Sequence, residues 1–168
     1  MSLASLLRRL TPKSKTRSIL ISVPGTSWAT SSAVRSVMSA NRKKNTSPER
    51  RLRSALHRLG LRYRIHAKPI QGSNMSADVV FRPSRVAVFL DGCFWHGCET
   101  HGTWPAVNRE YWRAKISGNV LRDRRVDDLL AQAGWNSIRV WEHESSTAAA
   151  NRIFETVRLR LPRLRSGH

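Results

Sequence analysis

The residues best suited to chemistry lie between Asp78 and His143. Asp78 is a carboxylate set inside an otherwise apolar run, Ala77-Asp78-Val79-Val80-Phe81. Burying a carboxylate is costly unless it is paired or holds a metal. The plain alternative is a solvent-facing position on an edge strand. A second apolar run, Val86 to Leu90, ends at Asp91, and a hairpin joining the two runs would bring the acids close together. Converging carboxylate oxygens suit Mg²⁺, which keeps positions for water and phosphate. Such an ion polarises a phosphodiester and lowers the pKa of an attacking water.

Directly after Asp91 comes Gly92-Cys93-Phe94-Trp95-His96-Gly97-Cys98-Glu99-Thr100-His101. Cys93, Cys98 and His101 are closely spaced, and His143 follows the apolar run that ends at Trp141. Four nitrogen and sulfur ligands of this kind suit a tetrahedral structural Zn²⁺. A small disulfide or a pair of free thiols are the alternatives. Phe94 and Trp95 are adjacent aromatics in a glycine-bounded loop, a spacing that fits neither a strand face nor a helix face. Beside a cationic surface such a pair can stack on bases or wedge between them, and Trp112 could join them. Trp28, Trp104, Trp135 and Trp141 read as structural.

Several elements must position these residues. Ser47-Pro48-Glu49 opens a helix, with Ser47 as cap, and Leu52, Ala55, Leu56 and Leu59 form its apolar stripe up to Gly60. Leu61, Tyr63 and Ile65 alternate with Arg62, Arg64 and His66, which predicts a half-buried strand. The two apolar runs flank Arg82-Pro83-Ser84-Arg85 and read as a central hairpin. Helical pattern runs from about Asn108 to Gly134 as two helices broken near Gly118. Ser137 to Trp141 is a buried strand, and Ile153, Phe154, Val157 and Leu161 mark a last helix. The order α-β-β-β-α-β-α predicts an α/β fold, a mixed sheet with helices on its faces.

The chain has 168 residues, with 30 Lys and Arg against 11 Asp and Glu and a formal charge of +19. That surface selects polyanions, above all nucleic acid. No apolar run approaches the roughly 18 residues of a membrane span, so no membrane association is expected. Residues 1–48 contain no acid. They read as a flexible basic arm over 1–30, with a transit peptide as the alternative, followed by one domain over 31–162 and a tail at 163–168. The absence of heptads makes a monomer the expectation. Lys115, Asn119 and Arg122 share one helix side and could approach phosphates or a base edge; a solvated charged face is the alternative.

Taken together, Asp91-Gly92-Cys93-Phe94-Trp95-His96, Tyr111-Trp112-Arg113-Ala114-Lys115-Ile116, Asn119, Arg122-Asp123-Arg124-Arg125, Gly134-Trp135 and Arg139-Val140-Trp141-Glu142-His143 resemble the very short patch repair (Vsr) endonucleases. Met38-Ser39-Ala40-Asn41 and Thr46-Ser47-Pro48-Glu49 match in order upstream, so the likeness spans roughly residues 33 to 145. The resemblance implies a restriction-endonuclease-like fold with a structural zinc site. It implies an enzyme that nicks duplex DNA beside the thymine of a T:G mismatch left by deamination of 5-methylcytosine.

By motif, Asp78 would be the Mg²⁺-ligating carboxylate and the Leu90 carbonyl a second ligand. His96 would act as general acid or base or orient the water, and Glu49 would sit near the hydrated metal. Cys93, Cys98, His101 and His143 would hold zinc. Phe94, Trp95 and Trp112 would insert beside the mismatch, with Met38 pressing from the opposite groove and Arg42 and Lys43 on DNA. The resemblance also implies a bacterial cytoplasmic, nucleoid-associated enzyme working with downstream repair proteins.

The chain departs from the best-known members, which carry His at Asp91 and Cys at His143. The order of the middle zinc ligands, Cys98 before His101, is exchanged, and Ser76-Ala77 precedes Asp78 in place of the usual Pro. The lysine that many superfamily nucleases place after the second acid is absent, which makes His96 the candidate for its work. Asp91 is then either a further metal ligand or a support for His96, and Asp123 either positions His96 or caps a neighbour. A same-fold nuclease without mismatch preference and a non-catalytic zinc-stabilised DNA-binding module are the competing functions.

Overall fold

The computed structural model describes residues 44–102, 106 and 108–162. The basic arm, the tail at 163–168, Met38, Arg42, Lys43, Trp28 and Trp104 lie outside the described residues.

Helix α1 spans Ser47–Arg58. Its cap is Thr46 and not Ser47, because Thr46 and Glu49 form a reciprocal capping box. Thr46 Oγ1 accepts from the Glu49 amide, and Glu49 Oε1 faces the Thr46 amide and hydroxyl at 3.4 and 3.1 Å. Spacing then puts Leu52, Ala55 and Leu56 on one buried face. Leu56, fully buried, contributes about 1.5–3 kcal/mol by leaving water. Gly60 ends the helix at φ 75°, donating to His57 O while Leu61 donates to Leu56 O, the paired bonds of a left-handed helix stop.

The sheet follows in spatial order β1-β2-β3-β4. Strands β1 (Arg64–Ala67), β2 (Ala77–Phe81) and β3 (Val86–Asp91) are antiparallel neighbours, and β4 (Asn136–Trp141) pairs parallel to β3. Helix α2 (Arg109–Gln132) makes the crossover between the parallel pair, and α3 (Ser146–Arg160) closes the domain. One face of the sheet packs Val79, Phe81, Val86, Val88, Ile138 and Val140 against α1 and α3. The other packs Val80 and Ala87 against Leu130, Val126 and Trp135. Both faces are covered, which is why β3 reads as a continuous apolar run rather than an alternating one.

Two expectations need correction. Helix α2 runs unbroken through Gly118. A glycine there costs about 1 kcal/mol against alanine, too little to break a helix that Ile116 and Leu130 anchor. The first strand begins only at Arg64, and Ile65 is 47% exposed. His66, at φ 46°, breaks the simple alternation and lies half-buried instead.

Candidate active site and metal centres

The fold gathers the acids and histidines at one end of the sheet. The antiparallel register puts His66, late in β1, opposite Asp78, early in β2. The parallel register pairs Asp91 with Trp141, so the loops leaving β3 and β4 run side by side. Helix α1 adds Glu49 from its first turn.

Glu49, His66 and Asp78 form the first group, with one potential ligand atom of each within 4.8 Å of the others. Glu49 is 7% exposed; its Oε2 accepts from the Asn45 amide at 3.0 Å. Asp78 Oδ2 accepts from the Leu90 amide at 2.8 Å. His66 stands between the carboxylates, with Nε2 3.6 Å from Glu49 Oε2 and Nδ1 3.8 Å from Asp78 Oδ1. No Lys or Arg among the described residues pairs with either acid. Burial raises the Asp78 carboxyl above its ordinary range, the Leu90 amide opposes this, and nearby Glu49 adds to it. Such a pair of acids is relieved by a divalent cation, so the donor set fits Mg²⁺.

Asp91, His96 and Asp123 form a second group. The hairpin does not bring Asp78 and Asp91 into one shared donor set: the register places Asp78 opposite Phe89, short of Asp91. Asp91, 3% exposed, accepts from Arg139 Nη1 with both oxygens, at 3.0 and 2.9 Å. Burial raises its carboxyl, while His96 and Arg139 pull it back. Arg139 also donates from Nε to Asp127 at 2.9 Å and from Nη2 to the Asp123 carbonyl at 3.1 Å. Asp123 Oδ2 lies 2.6 Å from His96 Nδ1, whereas Asp91 Oδ1 is 3.5 Å away. Asp123 therefore orients the His96 ring through Nδ1, and Nε2 takes no part in this contact.

Cys93, Cys98, His101 and His143 form the third group, and both cysteines are free. Cys93 Sγ is 3.0 Å from His143 Nδ1, and Cys98 Sγ is 3.8 and 3.9 Å from the Nδ1 atoms of His143 and His101. Sulfur and nitrogen ligands on one tetrahedral zinc stand about 3.5 Å apart, so the group fits that ion. Burial and the neighbouring Cys98 push the Cys93 thiol up to about 11, and a bound cation is what would hold it as thiolate. The loop is built tightly. Glu142 Oε1 accepts from the Cys93 amide at 2.7 Å. A Cβ on Gly102 would fall 2.4 Å from the Cys98 carbonyl oxygen.

Beside this loop, Phe94, Trp95 and Trp112 pack edge to face or tilted, with ring centroids 4.9, 5.3 and 6.1 Å apart. All three stay half-exposed rather than entering the core. Asn119 Nδ2 donates to the Trp95 carbonyl at 2.8 Å, so Asn119 braces the aromatic loop. Lys115 and Arg122 are exposed on the same helix.

Sequence reasoning missed His66 and Arg139 as site residues. Arg139 had a legible signal, a charge inside the apolar run Ile138-Arg139-Val140, of the kind that singled out Asp78. His66 had none, because its place depends on register and on a positive φ.

Residues 27–101 match the family profile described as DNA mismatch endonuclease Vsr. The chain is 47% identical over 122 residues to the type II nicking enzyme V.NaeI of Lentzea aerocolonigenes, covering 71% of this chain and 74% of that protein. It is 42% identical over 118 residues to the type II nicking enzyme V.XorIIP of Xanthomonas oryzae, covering 69% and 84%. Against the DNA mismatch endonuclease Vsr of Escherichia coli the identity is 37% over 106 residues, covering 62% and 66%.

Proposed function

From the premise that the chain belongs to the Vsr family and is a DNA endonuclease, we propose that it nicks duplex DNA beside the thymine of a T:G mismatch, using Mg²⁺ for hydrolysis and Zn²⁺ for structure. The observation that carries this reading is the pair of acids, Glu49 and Asp78, flanking His66 without a Lys or Arg partner among the described residues, at the end of the sheet where the half-exposed aromatic trio also lies.

Asp78, with Glu49 nearby and the Leu90 carbonyl as a further ligand, holds the cation. When bound, Mg²⁺ supplies charge to the scissile phosphate and acidity to an attacking water. Leu90, through its amide, fixes the carboxylate of Asp78. His96, oriented by Asp123, moves a proton at Nε2. Asp91 is engaged by Arg139, so its role is to support His96 and not to bind metal. Cys93, Cys98, His101 and His143 hold zinc, which ties the loop after β3 to the loop after β4.

Phe94, Trp95 and Trp112 wedge into the stack where the pair is already weak. A mismatch lowers the unstacking cost, at most by a few kcal/mol, so wedge insertion discriminates in the right direction. Arg122, Lys115, Arg42, Lys43 and the basic arm over 1–30 neutralise phosphate, Asn119 acts through Trp95, and Met38 presses on the opposite groove. The enzyme works as a monomer on bacterial DNA in the cytoplasm and passes the nick to repair proteins.

The test is a nicking assay on labelled duplexes carrying T:G in several contexts, the matched T:A and C:G duplexes, and a branched substrate. Each is run with Mg²⁺ and with EDTA, using wild type and Asp78→Ala. One Mg²⁺-dependent nick beside the mismatched T, absent in the variant, is the expected result. Equal cutting of matched duplex would replace the mismatch reading with that of a general nuclease of the same fold. Binding without cutting would leave a DNA-binding module.

A further inference from the structure

We propose that His66 is a nitrogen ligand of the cation held by Glu49 and Asp78, making the site a mixed nitrogen–oxygen one. This rests on the reading that the two carboxylates hold the catalytic ion.

Four observations converge on the imidazole. The β1–β2 register sets His66 opposite Asp78. Its ring nitrogens face one carboxylate each, at 3.6 and 3.8 Å, both too long for a good hydrogen bond. Nε2 is buried with no hydrogen-bond partner, a condition that native interiors reserve for sites with a purpose or a missing ligand. Finally, His66 holds φ at 46°, a region that non-glycine residues visit rarely and that tends to mark functional positions.

The distances suit one ion. Donors bound at about 2.1 Å around an octahedral ion stand about 3.0 Å apart when adjacent and about 4.2 Å when opposite. One imidazole gives an ion a single nitrogen. One potential ligand atom of each residue lies within 4.8 Å of the others, and Nε2 is 3.6 Å from Glu49 Oε2, so side-chain rotation would bring one ring nitrogen and both acids onto a common centre. Asp78 is already held from behind by the Leu90 amide and Glu49 by the Asn45 amide, while the buried His66 Nε2 has no partner in the protein. An imidazole ligand raises the affinity for Mn²⁺ and the later transition metals more than for Mg²⁺. The site is therefore expected to favour Mn²⁺ over Mg²⁺ more strongly than an all-oxygen site does.

The experiment is pulsed electron paramagnetic resonance on the zinc-loaded full chain with Mn²⁺ added, alongside a Mn²⁺ titration. Wild type should show coupling to a directly bound imidazole nitrogen. His66→Gln should lose that coupling and bind Mn²⁺ roughly ten- to hundredfold more weakly, while His96→Gln keeps both. Absence of nitrogen coupling in wild type, or its loss in His96→Gln instead, overturns the proposal while leaving the carboxylate site intact. Undiminished Mn²⁺ binding in Asp78→Asn would overturn the underlying cation site itself. The wild-type spectrum and the His96→Gln control keep the test decisive if His66→Gln folds poorly.

Discussion

Two groups of the same kind, each a histidine between two acids, sit at one end of the sheet and have been resolved differently. In the Asp91–His96–Asp123 group a guanidinium from β4 closes the charge: Arg139 takes both oxygens of Asp91 and reaches Asp123 and Asp127. In the Glu49–His66–Asp78 group no Lys or Arg is at hand among the described residues. Burial raises the carboxyl in both, yet only the second is left to be neutralised from outside. The lesson is that residue type does not decide which acid is left free to take a metal. The partner on the neighbouring strand decides it.

That contrast is broken most severely by Asp78→Asn. Nicking should fall by at least the order of 10³-fold, as when a principal electrostatic element is removed, while stability without divalent cation is unchanged or higher. A urea melt beside the nicking assay checks both halves; a large loss of stability would mean that Asp78 is structural.

Arg139→Met is the converse. It leaves Asp91 buried without its partner and should cost about 3 kcal/mol of stability, read as a lower urea midpoint. If Arg139→Met keeps full stability, the internal charge closure described here is wrong.

Asp123→Asn should reduce nicking by about 10²-fold, the range of a disabled general acid or base, with little change in substrate binding. A pure loss of DNA binding would instead place Asp123 outside the proton-transfer machinery.

The smallest effect is in pH. The folded chain holds the Asp78 proton above the ordinary carboxylate range, where the unfolded chain has released it. Its contribution to stability without cation is therefore lost as pH rises from the ordinary value through the raised one. Mg²⁺ should flatten that decline in wild type, and Asp78→Asn should abolish its Mg²⁺ dependence. Denaturation midpoints across that window measure it.

The order of elements and the β2–β3 hairpin were legible because each rests on local signals, apolar runs and a capping sequence, whereas His143 reaches Cys93, Cys98 and His101 only through the parallel β3–β4 register. Thr46 was missed as the cap because Ser47 competes for that place one residue on, and only the reciprocal bond with Glu49 separates them. The continuity of α2 through Gly118 depends on tertiary anchoring that propensity does not carry. The pairing of Asp91 with Arg139 joins residues distant in sequence through a parallel register. His66 reads as the polar half of an alternating strand until its backbone angle is known.

The most direct test is anomalous scattering from crystals of the zinc-loaded chain soaked in Mn²⁺, recorded at the manganese edge. The account predicts a peak among Glu49, His66 and Asp78, with none beside Asp91 where Arg139 sits. A peak between Asp91 and Asp123, with the first group empty, would contradict it.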